Sequence, residues 1–313
     1  MITVGVIGLG NIAHGYDDNP NVKRRIRYPT HLSVLKKNRH FKLVGGADPS
    51  RDARKAFARK AHVPVYSDYK TMLRASKPEM IVIATPTATH YSICMEVLRW
   101  GVDILLCEKP VAYSARQGRE MLVEAQTQRT VFAVNYFRSY DSGYVKLAKL
   151  LEKGTWGRVK AIDVNYAGGV FNTASHMIQL MTKFFGKAQS VFVIQKNPAE
   201  KDPTHSFVMQ YDGFAAVYHG IDTKYYRIFE ADILFEKGRL RIASDTLTEY
   251  GIKSEAGFSF LHVSKKPHVI LDIGESMLDV YSNVYHASRG GALLCSPDDA
   301  LYALEVAEQV AKK

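Results

Sequence analysis

A doubly wound parallel α/β domain followed by an α+β domain with a large, mostly antiparallel open sheet is the fold class this sequence predicts. Three observations carry it. An apolar run from Ile2 to Ile7 stops at a glycine turn of pattern G-x-G-x-x-A. Strands and helices then alternate up to VFAVNY (131–136), with strands apolar almost throughout, as expected where both faces of a parallel sheet are covered. From about 160 onward the strands alternate apolar and polar and follow one another without intervening helices. The expected domains are 1–128 and 129–313, the C-terminal helix being free to pack back on the first.

The glycine turn comes first. Gly8 allows a tight bend, Gly10 lets backbone approach a pyrophosphate, and small Ala13 lets a new helix pack closely on the strand with its N-terminus toward the phosphates. FKLVGGADPS (41–50) is a second strand ending in Asp48, where an acidic side chain meets a ribose hydroxyl pair. Asp48 follows Gly8 by about 40 residues, where about 20 is usual. The excess is HGYDDNPNVKRRIRYP (14–29), a basic insertion that leaves the first helix beside the phosphate turn. It reads either as a tolerated surface loop or as a segment facing substrate or covering cofactor. THLSVLKKN then resumes helical spacing.

DARKAFARKAHV (52–63) is an amphipathic helix, and VYSDYKTMLRASKP carries another. EMIVIATPTATHYSICMEVLRWG reads as a buried strand, a Thr-Pro turn and a helix ended by Gly101. VDILLCEKP (102–110) is the next strand and ARQGREMLVEAQTQR (115–129) the next helix. Later strands are VKAIDVNYA, QSVFVIQ, THSFVMQYDGFAAVYHGI and RIFEADILFEKGRLRIAS, with weaker ones near 258–272. Hairpin turns are expected at Asp212-Gly213 and Lys237-Gly238. Helices are expected over 141–153, 174–185 and the C-terminal SPDDALYALEVAEQVAKK, where Ser296 caps the start ahead of Asp298 and Asp299.

Composition narrows the function classes. The chain has 313 residues, 46% of them hydrophobic, and no apolar run near the roughly 20 residues that span a bilayer, so a cytoplasmic protein with no membrane partner is expected. Cys94, Cys107 and Cys295 form no ligand-like spacing; they read as reduced core residues, and no metal is assigned. The net charge of +11 is concentrated in residues 1–60. Such a surplus attracts nucleic acid, membrane surfaces or small anions. No nucleic-acid motif accompanies it and the aromatics are not interleaved as a stacking platform, so nucleic acid is not expected as a partner.

IGLGNIA, GGADPSRDAR, ATPTATHYSICMEVLRWGVDILLCEKP, NYFRSYDSGYVKLAKLLEKGTWGRV, GGVFNTASHMIQLMTKFFG, FEADILFEKGRLRI and CSPDDALYALEVAEQV resemble, in this order, the glucose-fructose oxidoreductase, inositol dehydrogenase and MocA (Gfo/Idh/MocA) family. The most specific piece is Thr85-Pro86 to His90 followed by Glu108-Lys109-Pro110. The resemblance implies an N-terminal Rossmann domain that binds NAD, with NADP possible, and a C-terminal domain that binds a sugar, cyclitol or nucleotide sugar and forms homodimers or homotetramers. Carried over residue by residue, Gly8, Gly10, Asn11 and Ile12 match the pyrophosphate turn and Asp48 the ribose contact. Thr85, Pro86 and His90 match the loop beside the nicotinamide ribose, and Glu108 and Lys109 the Glu-Lys-Pro motif, whose lysine lies near the reacting carbon. Asn135 and Arg138 match an Asn-x-x-Arg segment assigned to cofactor and substrate, and His176 the catalytic histidine.

The chemistry explains the residue types. As hydride leaves an alcohol carbon for nicotinamide, the hydroxyl must lose its proton to a base, and a cation stabilises the charge developing on oxygen. Histidine and lysine suit these tasks. The chain departs from the family pattern where aspartates are usual four residues before and three after the histidine: here stand Asn172 and Gln179. An amide can orient an imidazole or a substrate hydroxyl, but it brings no negative charge. The resulting expectation is an NAD(P)-dependent oxidoreductase acting on a secondary alcohol or ketone of a sugar-like molecule, a nucleotide sugar in the favoured case. A free sugar or cyclitol dehydrogenase and a catalytically silent dinucleotide-binding sensor or partner subunit are the alternatives.

Overall fold

The order of strands in the first sheet, β3-β2-β1-β4-β5-β6 and all parallel, is the doubly wound arrangement the alternation predicts. These are β1 (Ile2–Ile7), β2 (Phe41–Ala47), β3 (Val65–Tyr66), β4 (Met80–Ile83), β5 (Ile104–Cys107) and β6 (Val131–Val134). The helices of this part are α1 (Pro20–Lys23), α2 (His31–Lys37), α3 (Arg51–Ala61), α4 (Tyr69–Ser76), α5 (His90–Trp100) and α6 (Ala115–Thr127). The computed structural model describes all residues of the chain except Glu200, Lys201 and Asp245. It divides into one unit of residues 1–141 with 273–301 and another of 142–272 with 302–313. The boundary expected at 128 therefore lies too early, because Val131–Val134 pairs in register with Ile104–Cys107 as the last strand of the parallel sheet. β4 and β5 are buried along their whole length, which is why they read as unbroken apolar runs.

The helix expected to start at the glycine turn is built in two pieces. Residues 10–14 make one turn, with His14 N–H donating to Gly10 O, and the chain then leaves through a 3-10 turn (Gly15–Asp18) and α1. It returns at Thr30, whose hydroxyl and Ser33 form a reciprocal cap on α2. His31 N–H then donates to Ile12 O at 3.1 Å and Leu32 N–H to Ala13 O at 2.9 Å. Backbone bonds of one helix thus close across the insertion, and residues 14–30 are looped out of it. Leu32, Val34 and Leu35 are buried, each worth roughly 1.5–3 kcal/mol.

The first unit also contains α9 (Ser276–Ala287), a helix the sequence reading did not identify, with Met277, Val280, Tyr281 and Val284 buried at helical spacing. In the second unit stand α7 (Ser142–Glu152), α8 (Ser175–Phe185) and an eight-stranded sheet of order β14-β13-β12-β11-β7-β10-β9-β8. Its strands are β7 (Val159–Ala167), β8 (Ser190–Gln195), β9 (Ser206–Gln210), β10 (Ala215–Ile221), β11 (Phe229–Phe235), β12 (Gly238–Ala243), β13 (Thr246–Glu255) and β14 (Phe258–Val263). Among the described residues of this sheet, only β7 and β10 pair in parallel. The last helix, α10 (Pro297–Ala311), starts with Asp299 N–H donating to Ser296 Oγ at 3.0 Å, the cap expected there. Gly101 ends α5 at φ +85° as expected.

Alternate residues of the second sheet are buried, Ile162, Val164, Ala231, Ile233, Leu240 and Ile242 among them. The opposite face is more open and carries cross-strand ion pairs, Arg239 with Asp232 and Arg241 with Glu230. β9 departs from the expected alternation: Ser206 to Met209 are buried on both sides. The hairpin between β11 and β12 turns at Glu236-Lys237, one residue before the expected position. Gly238 instead begins β12, where a Cβ would lie 2.5 Å from Tyr250 O, so glycine serves close packing there. Gly213 turns the β9–β10 hairpin at φ +79°. The weak strands expected near 258–272 reduce to β14; beyond it Pro267 cannot donate to a ladder, and His268 N–H bonds Glu249 Oε2.

Candidate active site

The glycine turn has the shape a dinucleotide requires. Gly8 has φ +87°, and a Cβ on it would lie 2.6 Å from Thr85 N and 2.7 Å from Ala84 O, so only glycine lets β1 turn against the end of β4. A Cβ on Gly10 would meet nothing within 4 Å: its open side is room for a pyrophosphate. Asp48 closes the turn from β2, accepting from Leu9 N–H through Oδ2 and from Ser50 N–H through Oδ1, both at 2.8 Å. Gly8, Gly10, Asp48, Tyr69, Thr85 and Pro86 are among the residues lining a cleft of about 580 Å³. These features fit NAD, and the open glycine and the acidic strand end are the parts that do so.

His90 lies beneath this cleft, 1% exposed. Its Nδ1 stands 3.0 Å from Pro110 O and its Nε2 2.8 Å from Thr85 O. It therefore ties the Thr85 loop to the residue after Lys109. A neutral imidazole has one N–H, and two carbonyl acceptors ask for two. Burial opposes the charged form, but Cys107 beside the ring and the two carbonyls outweigh it and raise the His90 pKa to about 9. Cys94 and Cys107 are free, buried thiols. Asn11 is exposed in the turn after Gly10, its carbonyl accepting from Tyr16 N–H.

Lys109 follows β5 and lines a second cavity of about 240 Å³ with Glu108, Asn135, Ile12 and Phe137. Glu108 is locked in place: His31 Nε2 lies 3.1 Å from its Oε1, Asn135 Nδ2 donates to the same oxygen at 2.6 Å, and Lys109 N–H reaches Oε2 at 3.3 Å. Behind His31, its Nδ1 is 2.9 Å from the buried Tyr281 hydroxyl. Burial alone would raise the Glu108 carboxyl; the hydrogen bonds from His31 and Asn135 and the Lys109 charge prevail and hold it below the usual range. Arg138, in the 3-10 turn after β6, stacks on Phe137 with its guanidinium carbon 4.6 Å from the ring centre.

In the second unit, Gly168 and Gly169 (φ +102° and +92°) lead into a single π-helical turn, Val170–Ala174, and then α8. Asp202 caps that turn, accepting from Phe171 N–H and Asn172 N–H, each at 2.9 Å. Asn172 is exposed and its amide donates to Gly168 O at 3.3 Å. His176, in the first turn of α8, is nearly buried and meets Phe229 edge-on with ring centres 6.4 Å apart. Gln179, in α8, is 1% exposed.

The structure thus gathers Gly8, Gly10, Asp48, Thr85 and Pro86 at one cleft and Ile12, Glu108, Lys109 and Asn135 at one cavity, while His176, Asn172 and Gln179 belong to the second unit. Sequence reasoning missed His31 and Tyr281. The available signal was a histidine on the apolar stripe of T-H-L-S-V-L, a polar group that a helix buries only with partners. Among the described residues no group of three or more His, Cys, Asp or Glu is placed to hold a metal ion, and no helix is long and apolar enough to cross a membrane.

Residues 2–136 match the GFO_IDH_MocA family model, the oxidoreductase family with NAD-binding Rossmann fold. Inositol 2-dehydrogenase of Rubrobacter xylanophilus is 31% identical over 50% of this chain and 41% of its own length. Trans-1,2-dihydrobenzene-1,2-diol dehydrogenase of Mus musculus is 25% identical over 67% of this chain and 65% of its own length. The chain therefore spans less than two thirds of the length of these curated relatives. The crystal structure of the WlbA dehydrogenase from Bordetella pertussis in complex with NADH and UDP-GlcNAcA shares the fold, with a TM-score of 0.77 at 19% identity over 100% of this chain and 97% of that one. Residues 2–136 are thus similar to the NAD-binding Rossmann domain of the Gfo/Idh/MocA oxidoreductase family.

Proposed function

We propose that the chain transfers hydride between nicotinamide and a secondary alcohol or ketone of a sugar-like substrate. The observation that carries this reading is the position of Lys109, at the mouth of β5, lining a cavity with Ile12 of the glycine turn. Bound NAD supplies the hydride acceptor. Lys109 stabilises the charge that grows on the alcohol oxygen as its carbon loses hydride, and the locked Glu108 carboxylate keeps a negative neighbour beside that ammonium. His176 takes the hydroxyl proton in this reading, with Asn172 as its orienting group; both assignments come from the family resemblance.

The basic stretch Lys23–Arg27 supports an anionic substrate such as a nucleotide sugar. The relatives named inositol 2-dehydrogenase and dihydrobenzenediol dehydrogenase support a free cyclic polyol or diol. A silent dinucleotide-binding protein is the second reading, favoured by the amides Asn172 and Gln179 where the family pattern has carboxylates. For the cofactor, Asp48 favours NAD, since its carboxylate at the strand end would repel a 2′-phosphate.

The test is to titrate NAD and NADP at equal concentrations by thermal shift and to follow cofactor reduction over a panel of nucleotide sugars, sugars and cyclitols. Tighter NAD binding with turnover of at least one substrate is expected. Binding without turnover across the panel supports the silent reading, and tighter NADP binding removes Asp48 from its role.

A further inference from the structure

The looped-out segment 14–30 does not lie idle on the surface. Tyr16, Val22, Ile26 and Pro29 line the same cavity as Lys109. Val22 and Ile26 are four residues apart in N-V-K-R-R-I-R and are half-buried, while Lys23, Arg24, Arg25 and Arg27 between and beside them are exposed. The segment therefore turns its apolar residues inward and its charges to water. It is also fixed at both ends. Thr30 Oγ donates to Asp17 Oδ2 at 2.9 Å and Lys60 pairs with Asp18. At the far end Arg27 N–H donates to Gly274 O at 2.9 Å and the Arg27 side chain pairs with Glu275. The wall is a preformed part of the cavity.

The opposite wall is Ile273 and Met277. Ser276 Oγ is turned into the protein toward Asp141 Oδ2 and Ile273 O, and the Glu108 carboxylate accepts from Asn135 Nδ2 and lies against His31 Nε2, so the polar groups left to the cavity are Lys109 and Asn135 Oδ1, on the Glu108 side of it. A hydroxyl group entering against Val22, Ile26, Pro29, Ile273 and Met277, away from Lys109 and Asn135, gives up water and gains little in return.

We infer that the 14–30 segment selects a substrate whose ring edge, next to the reacting carbon, carries hydrogens or methyl groups in place of hydroxyls. This rests on the oxidoreductase reading for the identity of the ligand, but its test can be separated from it. The probes are trans-cyclohexane-1,2-diol and myo-inositol, each bound to the full chain saturated with NADH and followed by ligand-observed NMR. The diol is expected to bind at least about tenfold more tightly, the usual order of discrimination by an apolar pocket. Val22→Asn with Ile26→Asn should erase that preference while NADH affinity moves less than about twofold. The milder Val22→Thr, checked by circular dichroism, should reduce it in the same direction.

Equal binding of the two probes, or failure of both to bind, overturns the inference. So does a variant that moves NADH affinity alone, because the wall would then cover the cofactor. NADH formation from the diol is measured separately. Preference without turnover of the diol or of any member of the substrate panel keeps the wall and sinks the oxidoreductase reading; turnover without preference does the reverse.

Discussion

His31 Nε2 stands 3.1 Å from Glu108 Oε1, so the first residue of α2 holds the carboxylate next to Lys109 across 77 residues of sequence. Both groups are enclosed, and the imidazole is in turn backed by Tyr281. Removing one partner of such a pair leaves the other buried without its donor. His31→Ala is expected to cost on the order of 2–4 kcal/mol in denaturant unfolding and to lower turnover through misplacement of Lys109. A stability loss under about 0.5 kcal/mol would show that the pair does little.

The Glu108 carboxyl is depressed below its ordinary 4.5, so its ionised form stabilises the fold above that pH, and the contribution is lost as pH falls through the folded value. The stability gap between wild type and Glu108→Gln should therefore be widest near neutrality and close in acid. A gap that widens below pH 4.5 would contradict the assignment.

His90 runs the other way. With its pKa raised from 6.5 to about 9, the imidazolium contributes stability that is complete below pH 6.5 and disappears as pH rises through 9. His90→Gln should thus lose most of its deficit relative to wild type by pH 10. Histidine-selective NMR titration checks the value directly, and a midpoint at or below 6.5 would remove the imidazolium.

Lys109→Ala should keep dinucleotide affinity within about threefold and lose on the order of 10²–10³ in turnover, the usual effect of deleting one group that stabilises charge at a reacting oxygen. Full activity would take Lys109 out of the chemistry. For the second unit, Asn172→Asp adds a negative charge near His176, favours imidazolium, and should shift the rising limb of the oxidation pH–rate profile to higher pH. His176→Ala should abolish that limb. Unchanged profiles per folded molecule would leave His176 a packing residue against Phe229.

The more open face of the eight-stranded sheet carries Leu234 beside the Arg239–Asp232 and Arg241–Glu230 pairs, and the end strands leave Phe192, Phe258 and Phe260 exposed. Apolar side chains left this open ask for cover. Light scattering is expected to show at least twice the 35.1 kDa chain mass, and Phe192→Asp or Phe258→Asp should shift it toward monomer. A wild-type monomer at micromolar concentration would refute the expectation.

The glycine turn, Asp48, the parallel strands and the Lys109 position were legible because each depends on residues close together in the chain. Gly8 and Gly10 act where they stand, and Glu108-Lys109 follows directly on an apolar strand. What escaped depends on distance. The His31–Glu108 pair joins residues on either side of an insertion that hides the continuity of the helix, and no local pattern links them. Gly238 looked like a turn residue, yet its reason is the carbonyl of Tyr250 on the neighbouring strand. β9 is buried on both sides although its alternating neighbours predicted one open face. α9 lay beyond the segments with strong signals, and its place against β6 and α2 is set by packing.

The backbone bonds from His31 to Ile12 and from Leu32 to Ala13 close the helix behind residues 14–30. The segment is therefore an exchangeable cassette. Its length and side chains can be rewritten without altering the register of α2 on the sheet, because the helix ends that flank it are already joined to each other. Its tethers at Asp17, Asp18 and Gly274 set only how the loop is draped. A lineage, or an engineer, could reshape the lining of the Lys109 cavity while the glycine turn and Asp48 stay as they are.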